Sequence, residues 1–264
     1  MSGRRALVTG ASSGLGREMA RQLAARGFRV AGTGRREPEL LETARLVEAA
    51  GGECLPLVGS VGEPEVVARH SEAIRERWGG LDWLVLNAGI GDAVDARRFS
   101  AERYHQVFAT NVGGAVNWRG AVLPWMIAAG RGTVAGISSL AAWRGLPGAG
   151  AYSASKAALA TLLESTRVDL RGTGVRVVTV FPGFIRNRDV RTDADRGKPF
   201  LLDLEDGVRR ILDGIESGRP VVHFPGPLSL PMRHVVRHLP APVFDWLMAR
   251  LRSPRVTGRL PDSP

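Results

Sequence analysis

Short apolar runs alternate along this chain with longer stretches in which apolar residues have helical spacing. The apolar runs predict strands at residues 4–9, 28–33, 53–58, 82–86, 133–137 and 220–224. The helical spacing predicts helices that end near residues 26, 50, 78, 128, 170 and 217. Strands and helices that alternate in this way form right-handed βαβ units and a parallel sheet. With 264 residues and 44% hydrophobic content, the chain can bury one large α/β core.

A glycine-rich turn joins the first strand to the first helix. Gly10, Gly14 and Gly16 let the backbone approach a ligand closely, and the start of the following helix offers free amides to a pyrophosphate. The spacing is G-x-x-x-G-x-G rather than the commoner G-x-G-x-x-G, so the inference depends on the position between a strand and an amphipathic helix. This position predicts dinucleotide binding at the carboxyl edge of the sheet, where residues 87–89 also fall.

Two arginines follow the second strand. Arg35 and Arg36 stand where an NAD-specific site usually carries an acidic residue for the adenosine ribose. Guanidinium groups suit a 2′-phosphate, which arginine binds bidentately. The sequence therefore favours NADP(H) over NAD(H), and the alternative interpretation of the pair is a solvated loop in an arginine-rich protein.

A tyrosine and a lysine four residues apart begin the helix that ends near residue 170. Helical spacing brings Tyr152 and Lys156 to one face. An ammonium close to a phenol favours the phenolate and lowers the phenol pKa from about 10. The pair predicts a group that donates and accepts protons, whereas the alternative is a surface tyrosine beside a solvated lysine.

Composition and charge restrict the classes of function. The formal charge is +10, but the basic residues are spread over the whole length, so we expect no nucleic-acid partner. The scattered histidines and the single Cys54 show no metal-ligand spacing, so no metal is expected. No apolar run is long enough to span a membrane, and the first strand begins too early to leave room for a signal peptide. We expect a cytoplasmic protein.

Several motifs match one family in order and spacing. They are Thr9-Gly10-x-x-x-Gly14-x-Gly16, Asn87-Ala88-Gly89, Asn111, Ser139, Tyr152-x-x-x-Lys156 and Pro182-Gly183. From about residue 4 to residue 224 the sequence resembles the short-chain dehydrogenase/reductase family, of the type called classical. The resemblance implies a Rossmann-like, doubly wound parallel sheet of about seven strands with helices on both faces. It also implies a homodimer or homotetramer that associates through the helices at residues 101–128 and 152–170.

The resemblance also assigns roles to single residues. It implies that Tyr152 is the general acid or base and that Ser139, thirteen residues earlier, donates a hydrogen bond to the substrate oxygen. Lys156 would lower the Tyr152 pKa and bind the nicotinamide ribose, and Asn111 would hold a water in a proton relay. The residues expected to bind the cofactor are Gly10, Ser12, Ser13, Gly14, Leu15, Gly16, Arg35, Arg36, Ser60, Val61, Asn87, Ala88, Gly89, Tyr152, Lys156, Pro182, Gly183 and Ile185.

The expected reaction interconverts a carbonyl group and a secondary alcohol on a small or moderately hydrophobic molecule. Reduction of a carbonyl needs a hydride on carbon and a proton on oxygen, and NADP(H) and Tyr152 would supply them. The competing class is a noncatalytic dinucleotide-binding scaffold or sensor. The four residues Asn111, Ser139, Tyr152 and Lys156 argue against it, because a scaffold needs no proton relay.

Two positions depart from the family pattern. Ser60 stands where relatives often carry an aspartate beside the adenine, and Asn187 stands near the place of a threonine that touches the cofactor. The charged segment 186–196 predicts either a mobile segment over the active site or an insertion without consequence.

Residues 225–264 form a C-terminal extension beyond the dinucleotide-binding and catalytic domain at 1–224, either as a cap or as part of the same domain. Two amphipathic helices are predicted there, with apolar stripes at Met232, Val235, Val236 and Leu239 and at Phe244, Leu247, Met248 and Leu251. Basic amphipathic helices can lie on anionic membranes, so membrane contact is one alternative. Packing on the body, over the pocket or against a second subunit is the preferred one.

Overall fold

The fold is a parallel sheet with helices packed on both faces. The computed structural model describes residues 3–91, 96–186 and 197–251. The strands are β1 (Arg4–Thr9), β2 (Phe28–Gly34), β3 (Cys54–Val58), β4 (Trp83–Leu86), β5 (Gly132–Ile137), β6 (Val175–Pro182) and β7 (Val221–Phe224). The helices are α1 (Gly14–Ala25), α2 (Glu37–Ala49), α3 (Pro64–Trp78), α4 (Ala101–Phe108), α5 (Gly114–Ala128), α6 (Gly150–Asp169), α7 (Leu204–Glu216), α8 (Gly226–His234) and α9 (Ala241–Leu251).

The strand order β3-β2-β1-β4-β5-β6-β7 confirms the predicted doubly wound, Rossmann-like sheet. All of the pairings are parallel. The direction of winding reverses between β1 and β4, and this switch opens a crevice at the carboxyl ends of these strands. The apolar pattern alone did not assign β6, which lies between β5 and β7.

The core lies in two layers, one on each face of the sheet. Along β1, Ala6 and Val8 pack into the layer beneath α1, α2 and α7, whereas Leu7 packs into the layer beneath α3, α5 and α6. Successive side chains of a strand point to opposite faces, so the continuous apolar run of β1 fills both layers. The rigid sheet that results fixes the positions of the turns that follow its strands.

The predicted helix at residues 101–128 is interrupted. α4 and α5 are joined by a π-helical segment, Ala109–Gly113, which contains Asn111. The sequence predicts a local distortion at Asn111 and a break or kink near residues 113–114 and Pro124, but α5 continues through Pro124. The distortion therefore lies around Asn111, whose side chain bonds to groups outside its own helix.

The C-terminal extension differs from the prediction in its first helix. α8 begins at Gly226, with a proline in its first turn, and ends at His234; a 3-10 segment, Val236–His238, leads to α9. The predicted stripe at residues 232–239 is thus divided between two elements rather than lying on one helix. Among the described residues, no helix is long and apolar enough to span a membrane.

Candidate active site

A cavity of about 770 Å³ opens at the carboxyl edge of the sheet. The turns after β1, β2, β3, β4, β5 and β6 line it, together with the start of α6 and one face of α8. Each residue expected to bind the cofactor lies in its wall, and so does Ser139. Asn111 is not among the lining residues, and Asn187 and residues 188–196 of the charged segment lie outside the described residues.

The glycine-rich turn is held tightly against the turn after β4. A side chain at Gly16 would overlap the Gly10 carbonyl oxygen, and a Cβ on Gly10 would lie 2.9 Å from the Ala88 Cα. The Thr9 hydroxyl accepts hydrogen bonds from the backbone amides of Asn87 and Ala88, both at 2.9 Å. Ser13 at the start of α1 forms no capping hydrogen bond through its side chain. The first amides of α1 therefore remain available to an anion.

The two arginines at the other end of this cradle differ in their contacts. Arg36 forms an ion pair with Glu39 at 3.0 Å. Arg35 is exposed at the edge of the cavity and forms no ion pair with another described residue. The Ser60 hydroxyl accepts a hydrogen bond from the Gly62 amide at 3.3 Å, so it stabilises its own turn. Arg35 is the more available of the two cations for a phosphate.

Arg17 is a positioning residue that the sequence motifs did not reveal. Its guanidinium donates to the Ser12 carbonyl at 2.8 Å, the Glu39 carbonyl at 3.1 Å and the Thr43 hydroxyl at 3.2 Å. These bonds tie the glycine-rich turn to α2. The only sequence signal was its place directly after Gly16, on the first turn of α1.

The first two turns of α6 carry Tyr152 and Lys156. The Ser139 side chain lies within hydrogen-bonding reach of the Tyr152 hydroxyl. Ser138 is buried and donates to the Lys156 carbonyl at 2.8 Å, so it supports α6 rather than facing the cavity with its hydroxyl. The role of Ser139 toward the substrate oxygen stays a prediction.

Burial has the largest effect on the pKa values of Tyr152 and Lys156. It raises the Tyr152 pKa above its ordinary value, and the hydrogen bond with Ser139 offsets part of that rise. It also lowers the pKa of Lys156 to about 8. The Lys156 ammonium donates to the Ile137 carbonyl at 2.7 Å and lies 5.7 Å from the centroid of the Tyr152 ring. The Tyr152 pKa is therefore raised, with burial as its largest cause, whereas the sequence predicts that Lys156 lowers it.

Asn111 links the end of β4 to α6 from behind the cavity wall. Its side-chain oxygen accepts from the Ile90 amide at 2.8 Å, and its side-chain amide donates to the Ile90 carbonyl at 3.0 Å and to the Ser155 hydroxyl at 2.9 Å. It is 1% exposed. Asn111 positions the segment beside Lys156, and its part in a water relay stays a prediction.

No group of three or more His, Cys, Asp or Glu side chains that could hold a metal ion occurs in the part of the chain that the structure describes. The cavity's chemical groups are instead hydroxyls, an ammonium, guanidiniums and backbone amides. This set suits an anionic organic cofactor better than a metal centre.

A doubly wound parallel sheet with a glycine-rich turn at its carboxyl edge defines the Rossmann-like class of protein. Residues 4–198 match the family model described as short chain dehydrogenase. The chain belongs to the short-chain dehydrogenase/reductase family, in its classical type, and is an oxidoreductase of a family that binds nicotinamide dinucleotides.

Relatives and solved structures agree with this assignment. The chain is 46% identical over 252 residues to an uncharacterized oxidoreductase of Myxococcus xanthus (strain DK1622), covering 96% of this chain and 99% of the relative. It resembles a short-chain type dehydrogenase/reductase from Mycobacterium marinum with a TM-score of 0.79 and 28% identity, covering 87% of this chain and 97% of that one. A metagenomic short-chain oxidoreductase in complex with NADP is 35% identical, with a TM-score of 0.66 over 69% of this chain and 83% of that one.

Proposed function

We propose that this protein is an NADP(H)-dependent oxidoreductase that interconverts a carbonyl compound and a secondary alcohol. The observation that carries the proposal is that Tyr152, Ser139 and Lys156 line the same cavity as the glycine-rich turn. A proton donor, a hydrogen-bonding hydroxyl and a cation beside a dinucleotide cradle are the groups that carbonyl reduction uses.

The cavity fits a nicotinamide dinucleotide. Residues 10–16 would hold the pyrophosphate, because their backbone leaves no space for side chains at Gly10 and Gly16 and the amides of α1 are uncapped. Lys156 and the turn at Pro182-Gly183 would border the nicotinamide end. When bound, the cofactor supplies or accepts the hydride.

The protein's own residues handle the proton. In the reducing direction the Tyr152 hydroxyl gives its proton to the substrate oxygen, and its raised pKa keeps it protonated until charge develops there. Ser139 donates a hydrogen bond to the same oxygen. Lys156, which is mostly protonated below pH 8, stabilises the phenolate left behind.

Replacement of the phenol tests the proposed chemistry. In Tyr152→Phe we expect kcat for carbonyl reduction to fall about 10²- to 10⁴-fold, because the proton donor is lost. NADPH affinity should change by no more than about twofold, since the ring remains. The matched control is Tyr104→Phe, the other tyrosine of the chain, which packs on Phe99. Normal turnover by Tyr152→Phe would refute the mechanism, and NADPH binding by wild type without turnover of any carbonyl would favour the scaffold.

Arg35 supports the preference for NADP(H), and so does the NADP complex of the metagenomic oxidoreductase. In Arg35→Ala we expect the Kd for NADPH to rise about 10- to 100-fold, because a charge-assisted contact with the 2′-phosphate is lost. The Kd for NADH should stay the same. Arg45→Ala, which removes an exposed arginine paired with Glu42 on α2, is the control. Equal affinity of wild type for NADPH and NADH would contradict the preference.

We also propose a homodimer or homotetramer in the cytoplasm, where NADP(H) is available. Exposed apolar side chains support association through α4, α5 and α6. They are Phe108, Val116, Ile127 and Val168. Faces of this kind become buried when subunits associate.

A further inference from the structure

One face of α8 belongs to the wall of the cavity. Leu228 and Met232 line it together with Tyr152 and the glycine-rich turn. They are four residues apart and so share a face of the helix. Leu230, between them in sequence, is 50% exposed and is not a lining residue. The C-terminal extension therefore contributes two apolar side chains to the site.

The start of α8 is fixed on the turn after β6. A Cβ on Gly183 would lie 2.9 Å from the Pro225 Cδ and 3.3 Å from the Leu228 Cδ2. Ser229 is fully buried, and its hydroxyl lies 2.9 Å from the Nδ1 of His223 on β7. These contacts leave α8 little freedom to withdraw from the cavity.

The loop that follows Ser139 holds the rest of the extension. The Arg144 guanidinium donates to the backbone carbonyls of Arg237 at 3.2 Å and Leu239 at 3.0 Å. It also lies 4.0 Å from the centroid of the Phe244 ring, and Phe244 is 6% exposed. Because Arg144 follows Ser139 by only five residues, the extension is attached to the loop that carries a proposed catalytic residue.

The charges of the cavity are unevenly distributed. Among the described lining residues, the charged side chains are Arg35, Arg36 and Lys156. The apolar lining residues of the same cavity include Leu228 and Met232 of α8 and Phe184 after β6, with Leu146 and Ala149 from the loop before α6. A surface of this apolar composition binds hydrocarbon.

We propose that Leu228 and Met232 select carbonyl compounds with an extended hydrocarbon group, and that Arg144 is the positioning residue that holds the C-terminal extension against the loop that carries Ser139. This inference rests on the proposed function. It places the extension in the same domain as the sheet, as a wall of the site.

The first test separates recognition from chemistry by using protein saturated with NADP⁺, which has no hydride to give. Calorimetric titration should show that wild type binds 2-octanone at least tenfold more tightly than 2-butanone, because the longer chain buries more methylene groups. Met232→Gln and Leu228→Asn keep the side-chain size but add an amide. Each should reduce the ratio of the affinity for 2-octanone to that for 2-butanone about tenfold. Leu230→Gln, on the same helix but outside the cavity, should leave it unchanged.

The second test concerns Arg144. In turnover assays, Arg144→Ala should raise KM for 2-octanone about tenfold, with kcat for 2-butanone unchanged, because the apolar wall is displaced and the proton donor is not. Arg144→Lys should recover part of the effect. Arg250→Ala is the matched control, since that guanidinium stacks 3.7 Å from the Trp246 ring on the exposed part of α9. A lower Tm for Arg144→Ala with an unchanged KM ratio would make Arg144 merely structural and overturn its proposed role.

The two proposals fail in different ways. Chain-length-dependent binding without turnover of either ketone would leave the recognition inference standing and refute the proposed reaction. Turnover by wild type with equal affinity for the two ketones, or retention of the preference in Met232→Gln and Leu228→Asn, would refute the inference alone. Absence of binding of both ketones would also overturn it.

Discussion

At the scale of single residues, titration of Lys156 makes the free energy of unfolding depend on pH. Burial lowers the Lys156 pKa from its ordinary value to about 8, so between pH 8 and about 10 the unfolded chain binds more protons than the folded one. The free energy of unfolding should therefore rise across this window, by up to about 1.4 kcal/mol per pH unit from this group. Below pH 8 Lys156 is protonated in both states and contributes no slope.

Urea unfolding of the wild type and Lys156→Met between pH 7.5 and 9.5 measures this contribution. The variant should lack the rise, because methionine fills the same space without titrating. Lys198→Met, at the other lysine of the chain, should keep it. If the free energy of unfolding depends on pH with the same slope in wild type and Lys156→Met, titration of the buried ammonium is not the cause of the rise.

At this scale the sequence predicts which residues lie together but not all of their contacts. The i, i+4 spacing correctly brought Tyr152 and Lys156 to one cavity, because helical periodicity fixes the face of each side chain. It did not show that Lys156 donates to the Ile137 carbonyl or that burial raises the Tyr152 pKa. Both depend on tertiary neighbours, which spacing along the chain does not encode.

At the scale of elements, Asn111 holds the π-helical segment between α4 and α5. Its side chain makes three hydrogen bonds that satisfy the backbone amide and carbonyl of Ile90 and the hydroxyl of Ser155. Asn111→Ala should cost about 2–4 kcal/mol of unfolding free energy, because buried polar groups lose their partners. Asn117→Ala, which removes one bond to the Val61 carbonyl, should cost only about 1 kcal/mol. Equal losses in chemical denaturation would contradict this account.

Strands were predictable from the sequence where an apolar run marked them. The strands from β1 to β5 follow apolar runs, and β7 does too. The first helix of the C-terminal extension was misplaced, because its apolar stripe suggested residues 232–239 whereas the helix starts at Gly226 with a proline in its first turn. The sequence could not reveal that Met232 points to the cavity while Leu230 is exposed, since that choice depends on the packing of α8 against Gly183.

At the scale of the whole molecule, the helices on one side of the sheet leave apolar side chains in solvent. Val116 on α5 and Val168 on α6 are 47% and 55% exposed. If subunits associate here, wild type should have a mass of two or four times 28.3 kDa in light scattering coupled to gel filtration. Val116→Glu with Val168→Glu should shift it to smaller species, because association would bury two carboxylates without partners.

The control for this experiment is Leu41→Glu, which places a carboxylate at an exposed apolar position on α2, against the opposite face of the sheet. It should leave the mass unchanged, so a shift seen only in the double variant locates the interface on α5 and α6. A wild-type mass of 28.3 kDa would contradict the oligomer. Because Ser139, Tyr152, Lys156 and the glycine-rich turn all belong to one chain, activity per chain should persist in the dissociated variant. Loss of activity with retained folding would mean that association stabilises α6 and with it Tyr152.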